Sequence, residues 1–351
     1  MHLSYAQNME DMHLEQVFAG EPKGFYIDVG GGHPVADNVS FRSYLAGWHG
    51  LVIEPQAALH RLYGRIRPRD IALDVLVGRE AGQASFHAVD KLHGFSTMVE
   101  AHARGASSFG ASYATETREM TTLAAMGKAH APAVIDWLKV DVEGAEIDVL
   151  AGNDWARFRP RVVLIEAIAP GTMEPSHEVW EPILIGAGYQ LAFFDGLNRW
   201  YVADEASALA SRFPAAYLDW GSVRHLYDHG RALDNPMHPD HVLASALMGL
   251  DPASLPLVDS ATIFGFLTKN VTAEELQAPA AQATVERFAH MWLGTEPDGD
   301  IGSGRPDGDI GIGKRDISLE DALKNLIQTD AFRAALGRIA AAHDGGFLME
   351  D

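Results

Sequence analysis

"FYIDVGGGHP", residues Phe25 to Pro34, is an apolar run that ends in an acid, Asp28, and passes into three consecutive glycines. A strand that ends this way and leads toward a helix sets backbone without Cβ at the sheet edge, where a ligand can approach the main chain closely. Asp28, Gly30, Gly31 and Gly32 are therefore expected to line a cofactor, although a strand followed by a tight turn has the same letters. Spacing favours the cofactor. Glu54 closes the next apolar run, "LVIEP", 26 residues after Asp28, about where an acid meets the ribose hydroxyls of an adenosine cofactor held across two neighbouring strands.

Outward from this stretch the same rhythm continues. "GFYIDV", "GLVIEP", "DIALDVLVG", "IDWLKVDV", "RVVLIEA", "YQLAFF" and "RWYVA" alternate with helical patterns between residues 24 and 204, which predicts an α/β fold with a mostly parallel sheet covered on both faces. Asp28, Glu54, Asp141 and Glu166 stand at or just beyond the C-terminal ends of four of these runs, the edge at which open α/β sheets bind ligands. Asp195-Gly196-Leu197-Asn198 is turn chemistry between two aromatic-rich runs and predicts an antiparallel hairpin at the end of the sheet. From about Glu205 the chain turns Ala- and Leu-rich with helix starts at Thr272 and Ser318, so residues 205–351 are expected to form a helical domain, with residues 1–23 as an N-terminal segment. Inside it, "PDGDIG" occurs at Pro297 and again at Pro306; residues 297–314 read as a mobile, solvated insertion, since no run there has the ligand spacing of an EF-hand.

Composition narrows the partners. The formal net charge of −21 lacks the basic footprint that duplex nucleic acid or an anionic membrane requires, so a small-molecule or neutral acceptor is the expected partner. The absence of cysteine excludes disulfides, thiolate catalysis and Cys-built zinc sites. No run of about 18 apolar residues occurs and the N-terminus carries Glu10, Asp11 and Glu15, so neither a membrane span nor a signal peptide is read and a cytoplasmic location is expected. The oligomeric state is not legible.

The glycines alone do not choose between hydride and methyl transfer, because one architecture serves both. The ordered motifs "FYIDVGGGHPVADNVSF…GWHGLVIEP", "GFSTM", "TTL", "WLKVDVEGAEIDVLAG", "RVVLIEA", "SHEVWEPIL" and "GYQLAFFDGLNRWYVADE" resemble the FkbM-type family of S-adenosylmethionine-dependent methyltransferases over roughly residues 24–204. "KVDVEGAE", Lys139 to Glu146, is the most specific of them. The resemblance implies a class I methyltransferase, Rossmann-like fold, S-adenosyl-L-methionine as cofactor, and O-methylation of a sugar hydroxyl on a surface or secreted glycan; polyketides and other secondary metabolites are acceptors in the same family. The family commonly has Asn where Gly32 stands and Gly where Pro34 stands, and His33-Pro34 resembles a subgroup variant, which leaves the methionine-side contacts less defined than the ribose contact. The last helices also resemble a small helical module appended to some bacterial proteins.

Methyl transfer to a hydroxyl is an in-line displacement that needs a base and a polar cradle. Asp141 and Glu143 are the first candidates: one contacts cofactor or acceptor while the other takes the proton, or one only caps the helix after Gly144. A structural role suits Glu146 better. Glu166 and His177 are expected on the acceptor side, with His177, and less so His33, as alternative bases. Ser96 and Thr97 of "GFSTM" are expected to hydrogen-bond cofactor or acceptor, or else to shape a turn. No residue is assigned to a metal, but the acids together are an alternative holder of a divalent cation that would acidify an acceptor hydroxyl. Two other function classes stay open: a scaffold subunit that binds cofactor without turnover, and a nicotinamide oxidoreductase, which "DVEGAE" and the hairpin disfavour.

Overall fold

The computed structural model describes residues 2–90, 93–169, 174–214, 219–279 and 317–344. Its strands are β1 (His2–Ser4), β2 (Phe25–Val29), β3 (His49–Ile53), β4 (Ile71–Leu73), β5 (Leu76–Val77), β6 (Gly82–Val89), β7 (Tyr113–Thr121), β8 (Ile135–Val140), β9 (Pro160–Glu166), β10 (Tyr189–Phe194), β11 (Asn198–Ala203) and β12 (Val223–His225). Seven of them form the central sheet in the order β10-β11-β9-β8-β2-β3-β4. Its β9-β8-β2-β3-β4 portion is parallel, and β11 runs antiparallel to both β9 and β10. The hairpin turn is held as its letters suggest: Gly196 has φ +100, and Asp195 Oδ1 accepts from the N–H groups of Leu197 and Asn198 at 2.9 and 2.6 Å.

Alternation along each strand builds a core on either face. Phe25, Ile27 and Val29 join Leu51, Leu138 and Val163 on one side. Tyr26, Val52, Trp137, Val162 and Trp200 meet on the other, where Tyr26 and Trp137 stack at 4.8 Å. Helix α1 (Glu10–Val17) contributes Leu14 and Val17 to this second core, so the N-terminal segment is part of the packed body.

One expectation is corrected. "DIALDVLVG" is two strands rather than one: β4 pairs with β3, whereas β5 leaves the main sheet and joins a three-stranded sheet of order β5-β7-β6. The run breaks at Asp74, which is exposed. The pairing of β6 with β7 leaves little trace in the sequence, because β7, "YATETREMT", is polar toward both faces and offers no apolar alternation to read.

Beyond residue 204 the described residues are mainly helical, with Thr272 and Ser318 at helix starts, each accepting from a backbone N–H three residues on. The helices Ser260–Leu267, Leu319–Ile327 and Asp330–Asp344 bury a cluster that includes Leu243, Leu323, Leu326 and Phe332. The last of them also lies on the helix Ala57–Ile66, where a Cβ on Gly337 would sit 2.8 Å from Ile66 and Arg69 pairs with Asp330 at 2.7 Å. One short strand breaks the helical pattern: β12 pairs in parallel with β1. The insertion at 297–314 lies outside the described residues. Among the described residues no helix is long and apolar enough to cross a membrane.

Candidate functional site

Register lines up the chemistry. Val29 pairs with both Ile53 and Val140, and Val140 pairs with Ile165. The residues one step further, Glu54, Gly30, Asp141 and Glu166, therefore stand in a row along the C-terminal edge of four adjacent parallel strands.

The three glycines have different reasons. Gly30 has φ +79, and a Cβ there would lie 1.7 Å from the Asp141 carbonyl oxygen, so only glycine lets the β2 and β8 ends approach. A Cβ on Gly31 would meet Val52 at 2.4 Å and the Tyr63 hydroxyl at 2.6 Å. Gly32 turns left-handed at φ +58 and faces open space. Its N–H donates to Glu54 Oε2 at 2.8 Å, while Gln56 N–H donates to Oε1 at 2.7 Å. Glu54 is only 3% exposed, and burial pushes its carboxyl up to about 7 against those two bonds.

Asp28 lies beneath this turn rather than beside it. It is fully buried, accepts from the Ser40 hydroxyl at 2.6 Å and faces Lys139 Nζ at 3.7 Å. Lys139 in turn donates to the Gly30 carbonyl at 2.9 Å and lies 3.1 Å from Asp141. Burial alone would depress the Lys139 ammonium, but Asp141 and Asp28 outweigh it and keep it cationic. Arg67, also fully buried, donates to Asn38 at 2.9 Å and Ser40 at 2.8 Å and braces the turn from below. His33 is used locally, its Nδ1 accepting from the N–H groups of Val35 and Ala36.

Beyond β8 the chain makes two left-handed residues in succession, Glu143 at φ 57 and Gly144 at φ +104. A non-glycine residue in that region costs about 1–2 kcal/mol, and the loop is held there by its neighbours. The Glu143 carbonyl accepts from Thr97 Oγ1 at 2.8 Å and contacts His102 Nδ1 at 2.7 Å, and Glu146 Oε1 gathers the N–H groups of Val142 and Gly144. Thr97 thus shapes this loop, and Ser96 accepts from the Val89 N–H at 3.0 Å. Glu146, 5% exposed and at the start of the helix Glu146–Ala151, has the structural role its position suggests.

Carboxylate oxygens of Asp141, Glu143 and Glu166 lie within 4.8 Å of one another. Burial first, and then the neighbouring carboxylates, raise the carboxyls of Glu143 and Glu166 well above the ordinary range. The trio can share protons, a divalent cation, or the positive charge of a ligand. Next to it opens a cavity of about 320 Å³ lined by Glu166, His102, Gly144, Ile168, Glu178 and Trp180, among others, a volume within the range of roughly 300–1,000 Å³ that suits a small ligand. The residue His177 starts a short 3₁₀ turn, His177–Val179, and packs edge-on to Trp180 at 6.4 Å. Its neighbours Ser176 and Glu178 line the cavity and His177 does not.

The structure therefore brings together Glu54 with Gly32, and Asp141 with Glu143 and Glu166; it puts Asp28 and Thr97 in supporting positions and leaves His177 to one side. Sequence reasoning missed Lys139, Asn38, Ser40 and Arg67, and it missed His102. The first three stood inside quoted motifs, and a polar residue within a buried strand was the available signal for Lys139; nothing local marked Arg67 or His102.

Residues 28–191 match the family model described as a methyltransferase FkbM domain. No curated protein and no solved structure matches the chain.

Proposed function

We propose that this chain, which carries an FkbM methyltransferase domain over residues 28–191, moves a methyl group from S-adenosylmethionine to a hydroxyl of a neutral acceptor, a sugar of a surface or secreted glycan being the leading class. The observation that carries this reading is the cradle at β2 and β3: a turn that faces open space at Gly32, joined through its N–H to a buried carboxylate, Glu54. Ribose hydroxyls can donate to that carboxylate while the adenosine lies over the glycines. The acids further along the row, Asp141 first, would offset the positive charge of a sulfonium bound there. Transfer forms a bond from the acceptor oxygen to the methyl carbon and breaks the bond from sulfur to that carbon. Sulfur keeps the electron pair as a neutral thioether, and a base takes the hydroxyl proton.

The same acids restrict the acceptor. Asp141, Glu143, Glu146, Glu166 and Glu178 border the site, and Lys139 beside them is already paired with Asp141 and Asp28, so among the described residues little cationic charge is offered to a phosphate or carboxylate acceptor. Incubating the protein with methyl-labelled S-adenosylmethionine and methyl glycosides tests the reading. Label is expected on a neutral glycoside and not on the corresponding sugar phosphate. Labelling of the sugar phosphate instead would contradict the acceptor class.

A further inference from the structure

His102 is absent from every motif that suggested the reaction, yet three features of its surroundings agree. It lies in the helix Glu100–Gly105, on a segment remote in sequence from the β8 loop, and its Nδ1 is 2.7 Å from the Glu143 carbonyl oxygen. A carbonyl can only accept, so Nδ1 must carry the proton, and the neutral ring then has its lone pair on Nε2. Room for the ring comes from Gly144: a Cβ there would lie 2.3 Å from His102 Cε1 and 2.6 Å from Nδ1. The ring lines the same cavity as Glu166, and among the described residues no hydrogen bond to Nε2 is present.

We propose that the cavity between His102, Glu166 and Trp180 receives the acceptor, and that His102 Nε2 takes the proton from the acceptor hydroxyl as the methyl carbon bonds to its oxygen. The Glu143 carbonyl fixes the tautomer and stabilises the imidazolium that results, much as a hydrogen-bonded partner orients any catalytic histidine. On this assignment Asp141 and Glu143 hold cofactor charge and loop shape while the proton goes to His102. The glycine of "DVEGAE" is then required by a side chain some forty residues earlier in the chain, which explains why a motif centred on acids contains it. This inference rests on the methyl-transfer reading above.

The test uses the full chain and has two arms. In the first, histidine is labelled with ¹⁵N and the His102 signals are assigned through His102→Asn. The neutral ring is expected to carry its proton on Nδ1, and a proton on Nε2 would overturn the proposal. In the second, His102→Asn, whose side-chain amide can still donate to the Glu143 carbonyl but offers no basic nitrogen, is compared with wild type for transfer to methyl glucoside and methyl galactoside. A loss of about 10²–10⁴-fold is expected with unchanged binding of S-adenosylmethionine, and imidazole should restore part of the rate to His102→Gly. Retention of the wild-type rate by His102→Asn would overturn it. If wild type binds S-adenosylmethionine and labels neither glycoside, the acceptor class fails and the ring-nitrogen spectrum decides the base. Failure of wild type to bind the cofactor would sink the methyl-transfer reading itself.

Discussion

At the scale of single residues, adjacent glycines answer to different forces and predict different outcomes. Gly30→Ala drives a methyl group into the Asp141 carbonyl oxygen at 1.7 Å and should abolish folding, whereas Gly32→Ala meets open space and only the left-handed strain at φ +58, about 1–2 kcal/mol. Thermal melts of the two variants check this, and equal losses would contradict it. Glu54 makes a prediction about pH. Its carboxyl titrates at about 7 in the folded protein against an ordinary value of 4.5, so between those values the native state binds the proton more tightly than the unfolded chain. Stability contributed by this group is full below about pH 4.5 and falls as pH rises to about 7, in total by about 3 kcal/mol. Denaturant titrations across that window should show a shallower fall for Glu54→Gln than for wild type. The acid at the strand end was legible from spacing alone; its near-complete burial was not, because the groups that cover it come from the turn and from Gln56, and their geometry depends on the sheet register.

Among elements, the row along the strand ends is the unit that matters. Strand identity and order-setting acids were readable because β2, β3, β8 and β9 are short apolar runs with turn residues behind them. The sheet of β5, β6 and β7 was not, since β7 has no buried face to mark it. The same limit hid His102: the segment that carries it owes its place to bonds onto the β8 loop through Thr97 and His102, contacts that leave no local periodicity. The loop between β8 and the helix Glu146–Ala151 should matter for turnover more than for packing. Asp141→Asn is expected to keep the fold and lower the methylation rate by disturbing the charge beside Lys139. Glu143→Gln, whose backbone carbonyl still orients His102, should lower it less than His102→Asn does. A steady-state assay ranks the three, and full activity in both acid variants would remove the acids from the transfer step. If the three carboxylates instead share a divalent cation, a chelator should abolish transfer and magnesium or manganese should restore it.

For the whole molecule, particular residues tie the last helix, Asp330–Asp344, both to the other C-terminal helices and to the part of the chain that carries the central sheet. Arg338 makes two bonds to the fully buried Asp240, at 2.6 and 2.8 Å, and Ala334 and Ala341 share a cluster with Tyr5, Val35 and Ile66. Removing one partner of such a pair leaves a buried charge unmatched, which costs about 3–5 kcal/mol. Arg338→Ala should lower stability by that order in urea unfolding, and Arg338→Met with Asp240→Asn should recover part of it; no loss on Arg338→Ala would mean that this pair does not tie the helices together. Helical character beyond residue 204 was legible from composition and caps. The seat of the last helix on Ala57–Ile66 was not, because it depends on a close approach at Gly337 that no periodicity announces. If the edge of β2 and β3 holds S-adenosylmethionine, calorimetry of the purified full chain with S-adenosylmethionine, its demethylated product and NAD will separate the ligands. Both sulfur ligands should bind and NAD should not, with Glu54→Ala weakening the binding by about 1.5–3 kcal/mol while the fold is retained. Binding of NAD in their place, or unchanged affinity in folded Glu54→Ala, would remove S-adenosylmethionine from this edge.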